Sequence, residues 1–219
     1  MEAIERISIS NDLPTLIILL MLVLLVGARQ LYQNRFEDFL ALISSGKFLV
    51  IKNREHKALF GFNVVMLIVH LLSISLFLFL IYRSFTDVAP DKTGILFLRI
   101  FTGYGFFVLL KITVEKIIAN VFDIDEAMEG YLFQKHTFRN YLSVLLLPIS
   151  ISLVYIANPD PYLFYAMGGI LLVAWLGAYF RILKKNQVVV SHNWFYFILY
   201  LCALEITPYV ILYKLVTIN

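Results

Sequence analysis

The chain has 219 residues, of which 61% are hydrophobic and 15% charged, with a formal net charge of +3. Soluble globular chains are about 45–50% apolar and roughly 25% charged, so the composition excludes an ordinary soluble domain and points to a protein of the bilayer. The single cysteine, Cys202, excludes an intramolecular disulfide and a cysteine metal site, and nothing in the chain suggests nucleic-acid binding.

The first stretch, MEAIERISISNDLP, has no basic n-region, and no A-x-A site follows the apolar run behind it. That run is therefore expected to stay in the protein rather than leave as a signal peptide. A spanning helix needs about 20 mainly apolar residues. Six stretches qualify: 13–29, 58–82, 94–116, 141–157, 162–182 and 193–215. Pro14 sits early in the first, where proline is tolerated. Behind it, residues 31–50 place Leu31, Phe36, Phe39, Leu40 and Ile43 near one helical face, with Arg35, Glu37 and Asp38 elsewhere. This predicts an interfacial amphipathic helix that stops near Ser44 to Gly46. Residues 117–140 form a second polar patch, expected to extend the third span and turn at Gly130. The expected fold is all-α, a polytopic membrane protein with six transmembrane helices plus a cytoplasmic amphipathic helix, in one integral-membrane domain over 1–219.

Lysine and arginine give the orientation. The loops after the first, third and fifth spans, with the adjoining helix ends, hold thirteen basic residues against four on the other side. Arg99 lies inside the third span. The basic side faces the cytoplasm, so both termini are expected outside, on the periplasmic side if the membrane is a bacterial inner membrane. The outer loops, such as SFTDVAPDKT and ANPDP, leave no room for a folded domain. Aromatic anchors agree: Trp194 and Tyr196 start the last span, and Tyr209 and Tyr213 close it.

Glu205 is the puzzle of the last span, about twelve residues in and so near mid-depth. A carboxylate there must be protonated, paired or facing water. Pro208 cannot donate to the carbonyl of Leu204, and Thr207 stands beside the freed oxygen. Two partners suit Glu205: His70, midway through the second span, and then Lys111, towards the cytoplasmic end of the third. The sharper reading of Glu205, Thr207, Pro208, His70 and Lys111 is a proton or ion relay or a substrate site. The plainer one is a buried polar group that fixes helix packing or meets a partner subunit. Glu115 follows Lys111 by four residues and can pair with it on one face. Glu115 and Lys116 mark the cytoplasmic boundary, which reads first as a solvated helix end.

Other patterns carry less. Thr102-Gly103-Tyr104-Gly105 has the look of a potassium filter without its valine, but it lies inside one apolar run rather than a re-entrant loop. Its glycines read as close-packing positions, as do Gly168, Gly169, Ala174, Gly177 and Ala178. Asp123, Asp125, Glu126 and Glu129 form an acidic face without calcium-loop spacing. His56, His136 and His192 stand singly in expected loops, so no metal site is expected. No catalytic constellation and no cofactor motif is present.

The stretch NWFYFILYLCALEITPYVILYK, residues 193–214, resembles the ending F-Y-x-I-L-Y-L-C-x-L-E-I-x-P of an uncharacterised bacterial inner-membrane family. That family is a domain of unknown function from gliding-type Gram-negative bacteria. FFVLLK, ending at Lys111, and FRNYLSVLLLP, ending at Pro148, are also similar to it. The resemblance implies six spans and an inner-membrane location, and no established activity.

Two functions are expected from different classes. One is a non-enzymatic accessory or scaffold subunit of an inner-membrane envelope complex, for example in protein export or secretion. Its partners are the lipid bilayer and other inner-membrane subunits. The alternative is a small proton- or ion-coupled transporter using Glu205 with His70 or Lys111. The absence of a visible inverted repeat counts against the second.

Overall fold

In hydrocarbon every backbone N–H and C=O must find its partner within the protein, and long apolar stretches meet that demand as helices. The computed structural model describes residues 11–44, 56–86, 92–121, 125–156 and 161–185. In chain order these form α1 (Asp12–Leu31), α2 (Gln33–Ser44), α3 (His56–Phe85), α4 (Thr93–Val121), α5 (Asp125–Tyr155) and α6 (Pro161–Lys185). Among the described residues, four helical segments are long and apolar enough to cross a membrane: Asp12–Leu31, Gly61–Phe85, Thr93–Ile117 and Lys135–Tyr155. α6 adds a shorter apolar stretch, Tyr162–Ala174. The protein is therefore an all-helical membrane protein in its described part. The stretch 193–215 lies outside the described residues.

α5 departs most from expectation. No turn forms at Gly130; the helix starts at Asp125 and runs through Gly130 to Tyr155. Asp125, Glu126 and Glu129 favour the positive end of a helix, and a single interior glycine costs only about 1 kcal/mol relative to alanine. The apolar span of α5 begins at Lys135, not 141. Thr137, Asn140 and Ser143 are polar, yet all three are buried inside the protein, so they need not face lipid. His56 and His136 are likewise helical rather than in loops. Among the described residues an added Cβ at Gly103, Gly168, Gly169 or Gly177 would meet nothing within 4 Å. The close approach occurs instead at Gly61, where a Cβ would land on the Tyr32 hydroxyl.

The chain divides into two units, Met1–Tyr104 with Thr137–Leu172, and Gly105–His136 with Val173–Asn219. In the first unit some of the buried positions fall in a 3.5-residue repeat: on α3 Phe62, Met66, Val69, Ser73, Leu76 and Leu80, and on α5 Asn140, Ser143, Leu147, Ser150 and Val154; others, such as Leu71, Leu72, Phe77 and Phe79, are buried outside it. A strict 3.5 repeat keeps one seam facing its neighbour when helices cross at about 20°. Ser73 meets Ser143, and Asn11 joins the ends of α3 and α5, so these two helices run in the same direction. α1 runs against them, with Asn11 at the end of α3 and Tyr32 beside Phe62 near its start.

α2 forms within the segment 31–50. Phe39 is 1% exposed and packs edge-on against Phe62 and Tyr141, at centroid distances of 6.1 and 6.2 Å. Leu40, its neighbour, is 43% exposed. α2 is thus held by the protein through Phe39, with Phe36 packed beside it.

Candidate functional site

α3 is the most enclosed of the spans, and its polar residues must therefore be satisfied by neighbouring helices. His70 is 4% exposed. Its Nδ1 bonds the hydroxyl of Ser143 on α5, and its Nε2 lies 2.8 Å from the Tyr104 hydroxyl on α4. The His70 and Tyr104 rings sit 5.8 Å apart at 54°. Ser143 in turn donates to the carbonyl of Arg139, one turn back, at 2.9 Å, and Ser73 donates to the carbonyl of Ser143 at 2.9 Å.

With the Ser143 proton on the Arg139 carbonyl, the serine oxygen accepts and His70 donates to it from Nδ1. Tyr104 then donates to Nε2. Both neighbours orient the imidazole. Both lines of donors end on backbone carbonyls, Arg139 on one and Ser143 on the other. A carbonyl accepts a proton's hydrogen bond but has none to hand on, so these contacts tie three helices together.

A second polar junction lies where α1 begins and α3 and α5 end. The Asn11 side chain donates from Nδ2 to the Val154 carbonyl at 3.1 Å and accepts from Arg83 Nη1 at 3.2 Å. Thr15 donates to the Asn11 carbonyl at 2.8 Å, and its hydroxyl lies 3.1 Å from that of Tyr155. Asn11 thereby satisfies one of the orphan carbonyls at the end of α5.

In the second unit Glu115 is buried, 2% exposed, and bonds Lys135 on α5 through Oε1 at 2.7 Å. Its Oε2 has no hydrogen-bond partner among the described residues. Glu115 was expected at a solvated helix end with Lys111; its ion pair runs to the neighbouring helix instead. Lys116 is exposed and Lys111 half-buried. Glu205, Thr207 and Pro208 lie outside the described residues.

The sequence singled out His70 and Glu115 and missed their partners. Ser143 was placed at the edge of a span drawn too late, Tyr104 inside a filter-like motif, and Lys135 among loop charges. The available signal was depth: Tyr104 falls near the middle of the third span, as His70 does in the second. The filter-like residues are helical, and Thr102 bonds back to the Leu98 carbonyl at 2.7 Å.

No curated protein and no solved structure matches the chain. A family profile for a domain of unknown function covers residues 15–216.

Proposed function

We propose a function from the premise that this chain belongs to the DUF4271 family, a domain of unknown function: it is a non-enzymatic accessory subunit of a bacterial inner-membrane envelope complex. The observation that carries the reading is the inter-helix polar network of His70, Tyr104, Ser143 and Ser73. Both ring nitrogens of His70 are engaged by other helices of the same chain, and the donor lines terminate on backbone carbonyls. Such a network specifies how helices pack rather than presenting a reactive group. The lopsided distribution of lysine and arginine supports an inner-membrane placement with the basic loops in the cytoplasm. The short outer loops support a part that works with other membrane subunits, for example in protein export or secretion.

A second reading, a proton- or ion-coupled carrier, is favoured by one observation: a titratable imidazole lies deep in the protein within a chain of hydroxyls. It would use Glu205 with His70 or Lys111. One experiment separates the two. The tagged protein is purified in mild detergent and then reconstituted in vesicles, beside His70→Phe. A stoichiometric membrane partner and no proton flux is the outcome expected of a subunit. Purification alone, with flux that His70→Phe abolishes, establishes the carrier instead.

A further inference from the structure

We infer that the junction of α1, α3 and α5 is a binding site for a phosphate group, centred on Arg83. Arg83 stands in the last turn of α3 and is half-buried. Its one hydrogen bond among the described residues runs from Nη1 to the neutral Asn11 amide oxygen at 3.2 Å. A guanidinium carries five N–H donors in a planar fork that suits two oxygens of one phosphate. Asn11 uses up one direction of that fork and holds the side chain in place, and no carboxylate among the described residues pairs with it. The Thr15 proton is used on the Asn11 carbonyl, and the Tyr155 hydroxyl, 3.1 Å from that of Thr15, supplies one further donor at the same junction. The Asn11 side chain makes no cap on its own helix, because both ends of its amide serve Arg83 and Val154. Asp12 opens α1 nearby and is exposed, with a contact of its own.

The place of the junction bears on the source of the phosphate. Three helices that are apolar enough to span begin or end there, which is the level at which phospholipid headgroups meet a spanning protein. A lipid phosphodiester and a free phosphate ion share the required chemistry, and both are tested.

The full-length protein is purified in a maltoside detergent and its melting is followed with two probes, dioleoyl phosphatidylglycerol and inorganic phosphate. Half-saturation is compared for wild type, Arg83→Gln, Arg83→Lys and Arg99→Gln, Arg99 being an exposed arginine on α4. Wild type is expected to be stabilised saturably by at least one probe. Arg83→Gln should weaken that response about tenfold, the cost of one charge-assisted contact. Arg83→Lys should retain part of it, and Arg99→Gln all of it. A response to phosphatidylglycerol alone assigns a lipid site, and a response to phosphate alone assigns a free-anion site. A wild-type protein that responds to neither probe overturns the inference, whether or not the variants fold. So does an equal response in wild type and a folded Arg83→Gln.

Discussion

Ser143 carries more than its size suggests, because it faces two ways. Its oxygen accepts from His70 and its proton goes to Arg139. Ser143→Ala takes away the hydroxyl that His70 Nδ1 bonds inside the protein. An unsatisfied buried donor costs about 1–3 kcal/mol, whereas an average hydrogen bond between membrane helices is worth roughly 0.6 kcal/mol. The first value is the expected one here, since His70 is 4% exposed and water cannot replace the serine. Unfolding in mixed detergent measures it. In the double variant with His70→Phe most of the loss should vanish, because no donor is then stranded; a purely additive result would show that the two residues do not act together. The sequence singled out His70 by its depth, as a partner for Glu205, which lies outside the described residues. It could not supply Ser143 and Tyr104, which stand 73 and 34 residues away and become neighbours only through helix packing.

At the scale of elements, α2 shows where pattern succeeds and where it stops. Its one-sided apolar spacing was legible, and the helix forms within the expected segment. The pattern could not tell which apolar residues touch protein and which remain outside. Phe39 is the one that seats the helix, with Phe62, Met66 and Ala28 as its buried neighbours. Tyr32 turns the corner before it, its hydroxyl lying where Gly61 has no side chain, so the bend and the seat are keyed to the same stretch of α3. Truncating a buried phenylalanine costs about 3–5 kcal/mol. Phe39→Ala should therefore release α2 while the spans remain folded, giving faster proteolysis within 33–44 and little change in helix content. Leu40→Ala, on the exposed side, should leave the cleavage rate near that of wild type; equal sensitivity of the two variants would rule out Phe39 as the seat. The misplaced start of the α5 span has a related cause. A hydropathy reading treats every side of a helix as facing lipid, and α5 hides Thr137, Asn140 and Ser143 against its neighbours.

For the whole molecule, the membrane character was plain from composition, and four spanning segments among the described residues agree with it. The proposed orientation makes a direct prediction. In a Cys202→Ser background, Thr86→Cys follows α3 and Asn34→Cys lies on α2, and both native side chains are exposed. An impermeant maleimide should label Thr86→Cys in intact spheroplasts and Asn34→Cys only after the membrane is opened. The reverse pattern would invert the topology and place the basic loops outside.

α5 is a single helix of 31 residues. At 1.5 Å per residue it is about 46 Å long, against roughly 30 Å of hydrocarbon. Only its stretch from Lys135 to Tyr155 is apolar enough to stay in the bilayer. The ten residues before it continue the same helix for about 15 Å. The 21 residues of the apolar stretch alone measure about 32 Å, so α5 covers the hydrocarbon with little tilt and without drawing its acidic start into it.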